Sequence, residues 1–462
     1  MDANARADAT HRRVTATLGG DAHDARFVVH GWRTDGEVLF LDVEITGLSR
    51  FNETLRFVGR DLDAALDGPR AAALRGALDV LAVAASTSYY KLTIPRRIEL
   101  PAATDATRDM LQALVTDGLA EFAVANDLDL RGWADVEVAR VTPAAPPAEP
   151  GTGVLVPVGG GKDSAVTAWL ANRAGLDAEA FAVNTRASME RTAGAAHLEL
   201  VRVERHLDER LFAYNDAGGL NGHIPITAIV ASIACVSAIL DDRGDVLLSN
   251  EGSADEPTRT VDGTPVNHQY SKSTTFETLH LAAMRAATGG AVRAWSVLRP
   301  LPELVVAGCF VALGVPLTAV NSCNRAYALR GERREWCGRC PKCLFVQVML
   351  APFTIPEDFR AATGYDALAE PDLVAALGDL VDPVRKPFEC VGTVEEVQLA
   401  YDLLADDPQW ADHVAVRALG HAGTGASDRL RELVQGVDLR GYDPRLRPTL
   451  EAVLTELPGL AS

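Results

Sequence analysis

The pattern of apolar and polar positions divides this chain into three stretches. In the first, the apolar-rich runs FVVHGW (Phe27–Trp32) and EVLFLDVEI (Glu37–Ile45) flank RTDG, predicting an antiparallel hairpin closed at an Asp-Gly turn. Pro69 to Ala85, rich in Ala and Leu, predicts a helix, and SYYKLTIP follows it. TPAAPPAEPGTG, Thr142 to Gly153, is rich in Pro, Ala and Gly and is the strongest boundary in the chain. Beyond it the pattern becomes strand, turn, helix, repeated. VLVPV is a continuous apolar run of the kind buried on both faces of a parallel sheet, and Ser164 to Arg173 reads as a helix. AEAFAVN and LELVRVERHL read as further strands, PITAIVASIACVSAIL as a buried helix, and DVLLSNEGSADE as a strand running into a polar loop. From about Phe345 helical patterns dominate, including TVEEVQLAYDLLA, where Thr393 and Glu396 have capping-box spacing.

These patterns predict an α/β protein with a doubly wound, mostly parallel sheet. Residues 1–150 form an N-terminal α+β domain, 151–345 an α/β domain ending in a cysteine cluster, and 346–462 a helical C-terminal region. In such sheets the chemistry sits at the carboxyl ends of the strands.

Length and charge narrow the function. A chain of 462 residues exceeds one ordinary core. Its formal net charge of -19 disfavours a partner gripped through a phosphate backbone, so no nucleic acid is expected. The first residues, MDANARADATHRR, lack the apolar core of a signal peptide, and Ile224–Leu240 is interrupted by Thr227, Ser232 and Ser237 and too short to span a bilayer. A cytoplasmic protein without a membrane partner is expected, and seven cysteines in a chain of this length do not form a disulfide scaffold. Of 44 basic residues only five are lysine: Lys91, Lys162, Lys272, Lys342 and Lys386. Where arginine serves for ordinary positive charge, lysine should persist where a compact ammonium on a flexible stem is needed.

The most informative stretch is VLVPVGGGKDSAVTAWL. A strand turning sharply into a helix presents backbone N–H groups and the positive end of the helix dipole, a setting for an anion. Gly159, Gly160 and Gly161 let the backbone approach a phosphate, Lys162 adds a charge and Ser164 a hydroxyl near the helix start. The spacing is neither G-x-x-x-x-G-K-[ST] nor G-x-G-x-x-G. A second cluster, Cys337, Cys340 and Cys343 in WCGRCPKC with Cys323 in NSCN, has the spacing of a tetrahedral structural zinc site. Iron–sulfur ligation, or a catalytic role for Cys323, are the competing readings. Cys235 lies in an apolar helix and belongs to the core, whereas Cys309 and Cys390 stay unassigned.

GGGKDS in strand–turn–helix context resembles the S-G-G-x-D-S loop of the ATP pyrophosphatase (PP-loop, adenine nucleotide alpha-hydrolase-like) superfamily, with Gly159 in place of Ser. That resemblance implies that Gly160, Gly161, Lys162, Asp163 and Ser164 hold the phosphates of ATP. It also implies that SNEGSADE supplies a second polar loop, where Asp255 or Glu251 would help hold Mg²⁺. More widely, SYYK, PVGGGKDS, VNHQYSKS, WCGRCPKC followed by LAPF, and KPFECVGTVEE resemble the MurL family, from about residue 85 to 400. The MurL resemblance implies ATP-dependent epimerisation of the terminal L-Glu of a UDP-muramoyl dipeptide through an acyl-adenylate. Activation removes the carboxylate's charge, so a neighbouring oxygen can accept the developing enolate. Candidates for the acid/base work are His268, Lys272, Tyr270 and Cys323, with His268 first for its pKa, while Lys272 and Arg299 are the alternative anion clamps. Two other readings stay open. One is an adenylating amide or nitrile synthase resembling 7-cyano-7-deazaguanine synthase, and the other a non-enzymatic nucleotide-binding module.

Overall fold

The computed structural model describes residues 3–261, 263–327 and 335–459. Twelve strands occur among them: β1 (Arg26–Asp35), β2 (Val38–Ile45), β3 (Ser49–Phe57), β4 (Arg97–Leu100), β5 (Asp135–Val138), β6 (Gly153–Pro157), β7 (Ala178–Val183), β8 (Leu200–His206), β9 (Arg243–Leu248), β10 (Arg259–Val261), β11 (Thr264–Val266) and β12 (Arg293–Ser296). All but β10 and β11, which pair with each other, join one sheet in the order β12-β9-β6-β7-β8-β3-β2-β1-β4-β5. Six of its nine pairings are parallel, so the protein is α/β with a large mixed, mostly parallel sheet.

The hairpin forms where the pattern places it. β2 alternates between partly exposed and buried positions along its length, with Leu39, Leu41, Val43 and Ile45 inside. The second half joins this meander edge to edge: β3 pairs antiparallel with β8, Phe57 opposite Val203 and Thr54 opposite His206. The segment 142–152, between β5 and β6, lies against the end of the Thr274–Thr288 helix. Ala145 N donates to Ala286 O and Ala148 N to Gly289 O.

Both faces of β6 are covered, as its continuous apolar run requires. Leu155 joins Phe181, Val246 and the helices Ala71–Tyr90, Ile226–Leu240 and Thr274–Thr288 in one core. Val154 and Val156 join Ala180, Ala182 and the helices Lys162–Arg173, Glu303–Ala312, Pro341–Leu350 and Val394–Asp406 in the other. The last helix starts as its sequence indicates, Thr393 accepting from Glu396 N at 3.0 Å. Its Glu396 carboxylate, however, accepts from Leu304 N at 2.7 Å and so satisfies the start of a neighbouring helix instead. Among the described residues, Ala71–Tyr90 is long and apolar enough to cross a membrane, and 72% of that apolar stretch is buried inside the protein. A bent pair, Glu303–Ala312 with Leu317–Ala326, passes the same test only when joined.

Ala71–Tyr90 crosses Thr274–Thr288 at Gly76, where a Cβ would sit 1.9 Å from Ala287 O. Gly76→Val should therefore lower the thermal midpoint, through an overpacking cost of about 1–3 kcal/mol. Gly194→Ala, in the Ala187–Ala195 helix with open space around it, should be neutral or stabilising by up to about 1 kcal/mol. Differential scanning calorimetry of the two variants checks this, and equal midpoints would contradict the close crossing.

Candidate active site

From β6 the chain winds outward through β7 and β8, then returns to lay β9 and β12 on the other side of β6. The crevice between the carboxyl ends of β6 and β9 is thus a topological switch point, where open α/β sheets bind ligands. The glycine turn and the loop after β9 both open onto it. Gly160 has φ +81°, a left-handed conformation that favours glycine. Nothing lies within 4 Å of where a Cβ on Gly159 would stand. Gly161 is the N-cap of the Lys162–Arg173 helix, and a Cβ there would stand 3.0 Å from Ser322 Oγ. The turn is braced from behind: Asn321 N donates to Gly160 O at 2.6 Å and Lys162 N to Ser322 Oγ at 3.3 Å.

A cavity of about 320 Å³ lies in front of this turn. Gly159, Gly161, Asp163 and Ser164 line it, together with Ser249, Asn250, Asn321, Ser322, Lys272, Lys342 and Cys390, and Ile226, Val230 and Leu248 form an apolar flank. A mostly pre-formed cleft with a few convergent polar groups is the usual form of a small-molecule site.

Lys162 does not line it. The side chain is fully buried beneath the turn, with Nζ 2.8 Å from Glu303 Oε1 and bonded to Asp163. An ammonium cannot stay dry and charged without such partners. Burial alone would lower its pKa, but the two carboxylates outweigh that and hold it above the ordinary value. Burial would likewise raise Asp163; Lys162, Lys342 and Lys272 overcome it and keep the carboxyl low. Glu303 goes up, driven by burial, with Lys162 offsetting part and Asp163 and Glu251 adding to it. Oxygens of Asp163, Glu251 and Glu303 all lie within 4.8 Å of one another, a donor set suited to a hard divalent cation. Asp255 is outside this group: its carboxylate caps the Thr274–Thr288 helix, accepting from Thr274 N and Oγ1 at 2.6 Å each. The Arg299 guanidinium holds the carbonyls of Glu251 and Lys272 and the Glu277 carboxylate. It sets the shape of the wall rather than facing the cavity.

The lysine count acquires a structural meaning. Lys91, Lys162, Lys342 and Lys386 are at most 9% exposed, and Lys272 is half-buried. Lysine is among the residues least often buried, yet four of the five are buried and the fifth, Lys272, stands half-buried on the cavity wall. Lys272 Nζ donates to Cys390 Sγ at 3.3 Å, and Lys342 Nζ to Cys390 O. Near Cys390 stands His268, whose Nδ1 bonds Glu121 and whose charge bears on the thiol. Its ring also packs on that of His223 at 4.4 Å. Burial would raise the Cys390 thiol, but Lys272, His268 and Lys342 bring it down to about 6. Burial would lower His268, but Cys390 and Glu121 push it up to about 9. Tyr270 lies apart, facing Asp117, with its phenol raised to about 12 by burial.

Cys323, Cys337, Cys340 and Cys343 come together as one group. Cys323 Sγ is 3.9 Å from Cys340 Sγ, and Cys337 Sγ is 3.7 Å from Cys343 Sγ. Four thiolates at 2.3 Å around a tetrahedral zinc stand ~3.8 Å apart, so the spacing fits that ion. Cys340 N also points at Cys337 Sγ, at 3.3 Å.

The MurL N-terminal domain family matches residues 22–297 and the MurL C-terminal domain family residues 319–432. The chain belongs to the MurL family. A UDP-N-acetyl-alpha-D-muramoyl-L-alanyl-L-glutamate epimerase of Salinispora tropica is 39% identical over 389 residues, 83% of this chain and 85% of that protein. Proteins of the same name from Micromonospora sp. and Xanthomonas oryzae pv. oryzae are 38% and 36% identical. They cover 83% and 76% of this chain, and 87% and 80% of their own lengths. The MurL N-terminal match runs through both the meander and the glycine turn, and the C-terminal match takes in the thiol quartet and Cys390.

Sequence reasoning pointed to the turn, His268, Lys272 and the quartet; it marked Lys342 only as one of five unusual lysines, left Cys390 unassigned, and passed over Glu303 and Glu121. Lys162→Met should cost about 3–5 kcal/mol, because it leaves buried carboxylates without their cation. Adding Glu303→Gln to that variant should recover part of the loss, with a coupling of about 1 kcal/mol or more. Urea unfolding of the two single variants and the double variant measures it; strictly additive costs would contradict the buried pair.

Proposed function

We propose that this MurL-family isomerase inverts the terminal L-Glu of UDP-N-acetyl-α-D-muramoyl-L-alanyl-L-glutamate to D-Glu. ATP first adenylates the Glu α-carboxylate, and AMP and pyrophosphate leave. The setting is cytoplasmic synthesis of peptidoglycan precursors, and the fold is that of the adenine nucleotide alpha-hydrolases. One observation carries the ATP part of the reading: a turn without side chains at the switch point, opening on a cavity whose wall holds Lys272 and Lys342. The helix start and these ammonium groups favour polyphosphate. The substrate is that named for the relatives.

The residues have separable tasks in this reading. Main-chain amides at Gly160, Gly161, Asp163 and Ser164 and the Ser164 hydroxyl hold the phosphates, while Gly159 keeps the approach open and Lys162 N stays with the Ser322 brace. Asp163 and Glu251, with Glu303 behind them, hold Mg²⁺, which supplies charge neutralisation at the phosphate oxygens. Lys162 stays beneath the turn and fixes the orientation of Asp163. The quartet holds a structural Zn²⁺ that ties the 321–323 strap and the Pro341–Leu350 helix together.

Incubation with ATP, Mg²⁺ and the L-Glu substrate in D₂O should give AMP, pyrophosphate and product deuterated at the Glu α-carbon. ADP formation, or product without deuterium, would sink the reading. Turnover of a 7-carboxy-7-deazaguanine with ammonia would favour the amide or nitrile synthase alternative. Asp163→Asn should lower AMP release by about 100-fold or more, the scale on which transition-state charge stabilisation acts. For the quartet, the purified protein should hold about one zinc per chain by mass spectrometry of the metal, and Cys340→Ser should lose it with a lower thermal midpoint. Full stability with no bound zinc would refute that assignment.

A further inference from the structure

We propose that Cys390 is the group that removes the Glu α-proton, with His268 and Glu121 as the residues that position and charge it; this rests on the adenylating-epimerase reading above. Three observations carry it. Cys390 is the one cysteine among those lining the cavity in front of the glycine turn, on the same wall as Lys272 and Lys342. A carboxylate activated at that turn therefore brings its α-carbon to this wall. The thiol, bonded by Lys272, also neighbours a bonded Glu121–His268 pair whose charge bears on the sulfur, so that the three form a relay Glu121, His268, Cys390. A nucleophile or base within hydrogen-bond reach of an imidazole, itself oriented by a third group, is the arrangement that activates weak side-chain bases. Finally, the other candidates are engaged. Cys323 sits in the thiol quartet, Tyr270 faces Asp117 with a raised phenol, and Lys272 is kept protonated by Cys390, Glu251 and Asp163 despite its burial. His268 stands behind the sulfur rather than on the cavity wall.

The step balances simply. Sγ forms a bond to the α-hydrogen as the Cα–H bond breaks, and that electron pair moves into the activated carbonyl to give an enolate oxygen. The ammonium groups of Lys272 and Lys342 lie on the wall where that charge develops. A proton from water enters at the opposite face of the α-carbon, and the thiol later returns its own proton to solvent. No oxidant or reductant takes part. The charged groups around the sulfur are Lys272, Lys342 and His268, with Glu389 beside it in the chain.

The test separates activation from proton transfer. Isotope exchange between pyrophosphate and ATP, dependent on the UDP-muramoyl dipeptide, reads the first; deuterium wash-in from D₂O at the Glu α-carbon reads the second. Cys390→Ala should keep exchange within a few-fold and lose wash-in by about 100-fold or more, the usual contribution of a general base. Exchange itself shows that the variant is folded. Wash-in near the wild-type rate, or a parallel loss of both signals, overturns the proposal. Absence of exchange in the unaltered protein overturns the adenylation reading and this proposal with it. The positioning role has its own readout. Wild-type wash-in should gain its acid limb near pH 6, where the thiol loses its proton. Glu121→Gln removes a group that keeps His268 charged, so the thiol is less well stabilised as thiolate and the limb should move to higher pH. A Glu121→Gln limb that stays in place, with only a uniform drop in rate, overturns the relay.

Discussion

Three ammonium groups and three carboxylates share one crevice at the end of β6, and none of them could remain there alone. Lys162 is fully buried, and its charge persists because Asp163 and Glu303 face it. Asp163 stays ionised against its own burial because Lys162, Lys342 and Lys272 surround it. Removing a single partner from such a set leaves an uncompensated buried charge, which costs far more than the set contributes as a whole. The arrangement therefore acts less as a source of stability than as a geometric constraint. It fixes where Asp163 points, and thereby the edge of the cavity on which the phosphates of a nucleotide would lie.

That constraint reaches into the thiol quartet through a few atoms. Asn321 and Ser322 brace the glycine turn, and Cys323 is the next residue along. Cys323 N donates in turn to Asn321 Oδ1 at 2.9 Å. On the opposite side Cys340 caps the Pro341–Leu350 helix, and Lys342 stands one residue before Cys343 on its first turn. A metal holding the four sulfurs would therefore set the brace of the turn and the position of Lys342 at once. On the zinc reading proposed above, the quartet would act on the cavity through structure rather than chemistry.

Some of this was legible in the sequence, and the split follows the range of the interactions. β6 and the helix after it announce themselves because strand burial, glycine turn and helix start are all local. The quartet is legible because three of its members lie within seven residues. The ten-stranded sheet is not, since the pairing of β3 with β8 joins residues about 150 positions apart and each strand alone shows only an apolar pattern. Glu303 begins an otherwise apolar helix, a mismatch that could have marked it. Glu121 sits in an ordinary-looking helix and carries no local mark. Cys390 had one indirect mark, its place beside Lys386 in one of the five lysine segments. The scarcity of lysine proved informative in a way no motif was: with arginine serving at the surface, each remaining lysine stands inside or at the wall of a cavity.

The two halves of the site come from different parts of the chain, which bears on why the family match spans so much of it. The turn and the acidic group belong to residues between 151 and 345. The relay takes Glu121 from the N-terminal part, His268 from the loop after β11, and Cys390 from the C-terminal part. Activation of a carboxylate and movement of the neighbouring proton have opposite electrostatic needs: the first wants cations against phosphate, the second a base that keeps its negative charge among those same cations. A thiol brought down to about 6 next to an imidazole raised to about 9 meets both. The two shifts oppose each other in charge, the thiol moving toward thiolate and the imidazole toward imidazolium, so the pair adds little net charge to compete with the phosphates. A carboxylate base in the same place would be drawn into pairing with Lys272 and Lys342, and a lone histidine would be driven neutral by burial, as His223 is. The thiolate also pairs with Lys272, but an N–H···S bond is weaker than one to a carboxylate oxygen, so the sulfur is the more readily released to accept a proton.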